Sequence, residues 1–145
     1  MRINIDIVGV KPISLNSSQK ISTINGRPRM VKTPKTREFE KEVRSQLAIV
    51  GKKFEMLNNY LSKNECYLDV NYIFFFNVMT KKGKISKTSG DVDNLIKPFQ
   101  DLLFEKISYD DSQIMEVWAK KAHTTSGILM RACIHAYPLG NIHKH

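Results

Sequence analysis

Between Gly90 and Gln113 the chain reads GDVDNLIKPFQDLLFEKISYDDSQ, which gathers Asp91, Asp93, Asp101, Asp110 and Asp111 close to Lys97. Carboxylates repel one another unless something positive sits among them. Their hard oxygens suit Mg²⁺, or Mn²⁺ as a substitute, bound together with waters and substrate phosphate. The chain as a whole has the opposite sign. Its 23 Lys and Arg against 14 Asp and Glu leave a net charge of +9, which draws a polyanion toward an acidic centre. Basic charge alone fits a ribosomal-type protein or a membrane-surface binder as well; the acidic cluster narrows the reading to a metal-dependent nuclease.

In the DVD segment, Asp91 and Asp93 leave the same side of an extended backbone and can share a cation. Asp111 stands at the mouth of a later strand. If that mouth lies beside the start of the helix that follows Asp93, three carboxylates converge. A bound metal then activates water for attack on a phosphodiester. Lys97, one turn past Asp93, is placed to hold the phosphate or neutralise developing charge. The competing reading is structural, because Asp is a favoured helix N-cap and Asp pairs are common in turns. It leaves open a non-catalytic basic DNA- or RNA-binding protein of similar fold.

The elements that must position these groups follow from periodicity. Ile3, Ile5 and Ile7 alternate with polar residues as a strand does, and Asn25-Gly26 is a hairpin turn whose second arm Pro28 limits to an edge or a loop. Thr33-Pro34 opens a helix with the buried stripe Phe39, Val43, Leu47 and Val50. Gly51 is expected as its left-handed cap, with Lys52 and Lys53 at its negative end. A polar connection through Asn58-Asn59 and residues 62–65 leads to a long central strand, with Leu68, Val70, Tyr72, Phe74, Phe76 and Val78 on one face. The continuity of that face favours core packing over stacking of nucleobases.

A second helix begins at Val92 or Asp93 with the stripe Leu95, Phe99, Leu102 and Leu103, and Asp93, Lys97 and Asp101 share its polar face. Pro98 either kinks it or marks the start of its regular part. A strand from Gln113 to His123 and a last strand through Tyr137, joined at Ser126-Gly127, are expected to pair as a closing antiparallel hairpin. Trp118 is expected to pack on a sheet face.

Two basic stretches precede the acidic one. Lys20, Arg27, Arg29, Lys32, Lys35 and Arg37 either track a phosphate backbone or form a solvated face. Lys81, Lys82, Lys84 and Lys87 lie in a glycine-bounded loop directly before the aspartates, where contact with DNA is the favoured role. Cys66 and Cys133 have no metal or disulfide spacing and read as reduced. His143 and His145 read as solvated tail residues. With no apolar run of membrane-spanning length and no signal peptide, the expectation is a soluble, cytoplasmic chain without a membrane partner. No nucleotide-binding glycine loop or Ser/His/Asp motif appears, so no small-molecule cofactor is expected.

GDVDNLIKPFQDLLFEKISYDDSQI resembles the signature of the RusA family of Holliday junction resolvases, with DxDNxxK followed by an Asp-containing helix and DDSQI at a strand start. GRPRMVKTPKTREFE resembles the family's basic N-terminal segment. The resemblance implies metal-binding catalytic roles for Asp91, Asp93 and Asp111, a catalytic Lys97, and supporting roles for Asp101 and Asp110. It further implies a Mg²⁺-dependent homodimer that cuts four-way DNA in paired nicks, in bacterial or phage recombination and repair. The expected fold is a single α+β domain over residues 1–140, a mixed or antiparallel sheet packed with two principal helices, and a polar tail at 141–145.

Overall fold

Alternating burial along β1, most of β4 and β6 builds the sheet, and helical stripes cover one side of it. In chain order the elements are β1 (Arg2–Val8), β2 (Gln19–Ile24), β3 (Arg27–Lys32), α1 (Pro34–Ile49), α2 (Gly51–Lys63), β4 (Cys66–Phe76), α3 (Val92–Phe104), β5 (Ile114–His123) and β6 (Leu129–Pro138). Short 3-10 turns occupy Leu15–Ser17 and Asp111–Gln113. The computed structural model describes residues 1–140; the expected tail with His143 and His145 lies outside the described residues.

The four-stranded sheet has the order β1-β6-β4-β5, with β4 and β5 parallel and the other pairs antiparallel. Register aligns one face in rows that run out to the open edge at β5: Ile3, Ile134, Val70 and the exposed Val117, then Ile5, Ala132, Tyr72 and Ala119, then Ile7, Met130, Phe74 and Lys121. Phe39, Val43 and Leu47 of α1, Phe54, Leu57 and Leu61 of α2, and Leu95, Phe99, Leu102 and Leu103 of α3 close the core with these rows. The Phe99 ring meets Tyr72 and Phe74 edge-on, at centroid distances of 5.8 and 6.4 Å. A parallel pair needs a crossover connection, and here the crossover carries α3 across the sheet face and delivers the chain to the start of β5.

Several expectations hold in detail. Thr33 caps α1, its Oγ1 accepting the Thr36 N–H at 3.2 Å, with Pro34 at the first helical position. Asn25 and Gly26 both take positive φ, 52° and 75°, as a two-residue hairpin turn demands, and β2–β3 stands apart as its own two-stranded ribbon. Cys66 and Cys133 are free.

Three expectations are corrected. Gly51 is not a left-handed cap; the helix pauses at Val50 (φ −100°, ψ 25°) and resumes as α2, so Lys52 and Lys53 fall in an N-terminal turn. The segment read as a polar connection is helical because Phe54, Leu57 and Leu61 recur on one face. Its Asn58 bonds to a distant stretch of chain instead of making a local turn. The described residues therefore form three principal helices. The closing hairpin is also absent: β6 inserts between β1 and β4, while β5 takes the outer edge. The reason is burial. β6 brings Met130, Ala132, Ile134 and Ala136, all buried, whereas β5 exposes Met115, Val117 and Trp118. Trp118 lies in the open under the Lys120 ammonium, 5.6 Å from its ring centre.

Candidate active site

The acidic stretch enters the fold through Gly90. Its φ is +87°, and any Cβ at that position would stand 3.2 Å from Leu95 Cδ2, so only glycine fits without strain. Asp91 follows at the N-cap of α3 in extended conformation, and its carbonyl accepts the Asn94 N–H at 3.0 Å. Its side chain makes no capping hydrogen bond and is exposed. Asp93 lies exposed in the first turn, and the helix runs unbroken through Pro98. Lys97 Nζ donates to Asp101 Oδ1 at 2.9 Å, one turn on; this bond first, then the charge of Asp101, raises the lysine pKa.

Asp110 and Asp111 are positioned by side chains remote in sequence. Asn58 Nδ2 donates to the Lys106 carbonyl at 2.9 Å while Asn58 Oδ1 accepts the Ser108 N–H at 2.8 Å. The Tyr109 hydroxyl accepts the Cys66 N–H at 3.1 Å and donates to the Asn64 carbonyl at 3.3 Å. Gln113 Oε1 then accepts the Asp110 N–H at 3.1 Å, closing the turn. Asp110 and Asp111 influence each other's protonation: the neighbouring Asp110 carboxyl first, then desolvation, then the charges of Asp110 and Asp101, raise the pKa of Asp111 against the opposing charge of Lys97, while interaction with Asp111 lowers that of Asp110.

Lys97, Asp101, Asp110 and Asp111 thus share one electrostatic neighbourhood. Below it, the buried Tyr72 hydroxyl donates to Gln100 Oε1 at 2.7 Å; burial, then Asp101 and Asp111, holds that phenol well above its ordinary pKa. Asp91 lies at the other end of α3, about 15 Å from Asp101 along a helix of that length. Among the described residues no three His, Cys, Asp or Glu side chains form a group that could hold a metal ion. In kind the donors fit Mg²⁺. All are exposed carboxylate oxygens, and Asp111 carries like-charge repulsion that a cation would offset.

The basic residues are displayed as the sequence suggests. Arg27 and Arg29 on β3, Lys35 and Arg37 on the first turns of α1, and Lys81, Lys82, Lys84 and Lys87 before α3 are all exposed. Lys32, by contrast, is paired with Glu40 at 2.8 Å. The loop of Lys81 to Lys87 has its own hydrogen-bonded turn, with Met79 bridged to Ile85 and the Ser86 N–H donating to the Val78 carbonyl at 2.7 Å.

Sequence reasoning missed Asn58, Gln100 and Lys121, whose contacts all join distant segments. Only Lys121 left a trace, as a charged residue at a strand position with inward parity.

A single α+β domain that displays a large excess of basic charge is suited to a polyanionic partner. The sequence model of the family described as Endodeoxyribonuclease RusA matches residues 10–130 of this 145-residue chain. The chain belongs to that family, and it is an endodeoxyribonuclease of the kind that resolves Holliday junctions. No curated protein matches the sequence.

Proposed function

We propose that the chain hydrolyses phosphodiesters of four-way DNA in paired, symmetric cuts, with Mg²⁺ or substituting Mn²⁺, as a homodimer in the cytoplasm of a bacterial or phage-infected cell, during recombination and repair. The observation that carries the catalytic reading is Asp91. It occupies a helix N-cap without making the hydrogen bond that would explain it structurally, and both it and Asp93, in the first turn, are exposed.

Asp91 and Asp93, at the start of α3, would hold a cation; Asp111, beyond the other end of that helix, does not share it within one chain and would act near Lys97. Bound there, a divalent metal supplies an activated water and neutralises charge on the phosphate. Lys97 takes the phosphate or the charge that develops on it. To do so it must leave Asp101, and the two side chains are 55% and 54% exposed, so separating an i,i+4 pair of this kind costs only about 0.3–0.5 kcal/mol. Asp101 therefore parks the lysine without trapping it, and Asp110 sets the protonation of Asp111. Arg27, Arg29, Lys35, Arg37, Lys81, Lys82, Lys84 and Lys87 meet backbone phosphates. A two-fold dimer offers equivalent sites to two strands of a branched substrate.

The test is a synthetic four-way junction beside linear duplex of the same sequence, each incubated with Mg²⁺. Paired cuts confined to the junction are expected, and they should vanish with EDTA or in Asp93→Asn while junction binding persists. Binding without metal-dependent cutting would refute the catalytic reading, and equal cutting of linear duplex would refute the preference for branched DNA.

A further inference from the structure

We propose that Lys121 is a positioning residue for the Asp91–Asp93 segment, its ammonium fixing the Gly90 carbonyl and thereby setting where the two carboxylates stand. The inference rests on the reading of Asp91 and Asp93 as cation ligands.

Lys121 occupies the third inner row of the sheet, beside Phe74, Met130 and Ile7. A lysine on an edge strand ordinarily points into solvent, where it discourages pairing with other chains. This one has inward parity and is part-buried, with its stem along the apolar row and its head at the N-terminal end of α3. Nζ donates to the Gly90 carbonyl at 2.7 Å and to Ser89 Oγ at 3.0 Å. Ser89 spends its own proton on the Ser86 carbonyl at 3.0 Å, which leaves its lone pairs to Lys121.

Little room is left on the other side of Gly90: an added Cβ would stand 3.2 Å from Leu95 Cδ2 and 3.7 Å from Ser14 Cβ, so a side chain is excluded there. Three consequences follow for the site. The direction of the chain entering α3 is fixed, the crossover is tied to β5 at its far end from Asp111, and a positive charge is placed one peptide from Asp91. That charge opposes the mutual repulsion of Asp91 and Asp93 before any cation arrives.

Lys121→Met keeps the stem and removes the ammonium. Direct Mn²⁺ binding to the full, DNA-free chain is read by electron paramagnetic resonance, alongside thermal denaturation, junction binding in EDTA, and cleavage as a function of Mg²⁺. A group that orients metal ligands without touching the metal changes affinity about 10–100-fold. The expected result is therefore a loss of Mn²⁺ affinity of about tenfold or more, a matching rise in the Mg²⁺ needed for half-maximal cutting, unchanged metal-free junction binding, and recovery in Lys121→Arg. Wild-type Mn²⁺ affinity in a folded Lys121→Met chain would overturn the proposal. So would an equal loss of Mn²⁺ affinity and metal-free junction binding, which marks a merely structural lysine. If Lys121→Met does not fold, Ser89→Ala decides, since it deletes one of the two contacts. A smaller loss of Mn²⁺ affinity with intact junction binding supports the proposal, and no change overturns it. If the wild-type chain itself neither binds Mn²⁺ nor cuts, the metal reading falls and takes this inference with it, an outcome visible before any Lys121 variant is made.

Discussion

Asn58→Ala tests whether Asp111 is held in place by α2. The side chain spans two backbone groups of the segment after α3, donating to the Lys106 carbonyl at 2.9 Å and accepting the Ser108 N–H at 2.8 Å. A net hydrogen bond is worth roughly 0.5–1.5 kcal/mol, and both of these are solvent-accessible, which favours the lower half of that range. Losing both should cost about 1–2 kcal/mol, read as a lower urea midpoint with an unchanged slope. Asn58→Asp keeps the acceptor for Ser108 and loses the donor to Lys106, so it should cost about half as much. The functional effect is the sharper test. Only Ser108, Tyr109 and Asp110 and their backbone stand between this tether and Asp111, and a displacement near 1 Å in a reacting constellation can cost about 100-fold in rate. Single-turnover cutting of a four-way junction at saturating Mg²⁺ should fall by roughly 10- to 100-fold in Asn58→Ala, while junction binding in EDTA stays at the wild-type level. Stability lost as calculated with cutting undiminished would show that the tether does not position Asp111 for the reaction, and the account of how that carboxylate is placed would be wrong.

Two further outcomes follow from surface charge. Arg44 grips Glu105 through both oxygens, at 2.9 and 3.0 Å, and this contact holds the Glu105 pKa below its ordinary value. A depressed carboxylate pKa gives stability that is present above the unfolded value, near pH 4.3, and lost as pH falls through the folded one. Glu105→Gln should therefore lose up to about 1 kcal/mol relative to wild type at pH 7, solvent-screened as the pair is, and the difference should close in urea titrations near pH 3; a difference that persists there would refute the assignment. Replacing Lys81, Lys82, Lys84 and Lys87 together with alanine should reduce the salt slope of junction binding by about 3–4 if all four meet phosphates, and an unchanged slope would return that loop to a solvated face.

Much of the local structure was legible because it rests on short-range rules. Ile3, Ile5 and Ile7, the β4 face, the Thr33-Pro34 helix start, the Asn25-Gly26 turn and the α3 stripe all behave as their spacing predicts. Where the reading failed, one residue had two uses. Asn58 carries a turn-forming side chain but sits in a helix, because its partners lie some fifty residues away. The final strands look like a hairpin because they are adjacent in sequence, yet the more apolar β6 takes the sheet interior and leaves β5 at the edge.

The sequence by itself determined the chemistry on offer: carboxylates at DVD and DD, one lysine a turn beyond Asp93, and a basic surround, all within the stretch that the RusA family model matches. Only the tertiary structure decided which of these groups share a field. It puts Asp111 within the electrostatic reach of Lys97 and Asp101, leaves Asp91 at the opposite end of α3, and ties that end to β5 through Lys121. The physical reason is that spacing fixes side-chain direction only within one element. Which elements become neighbours is settled by the burial of whole faces and by hydrogen bonds between segments far apart in the chain.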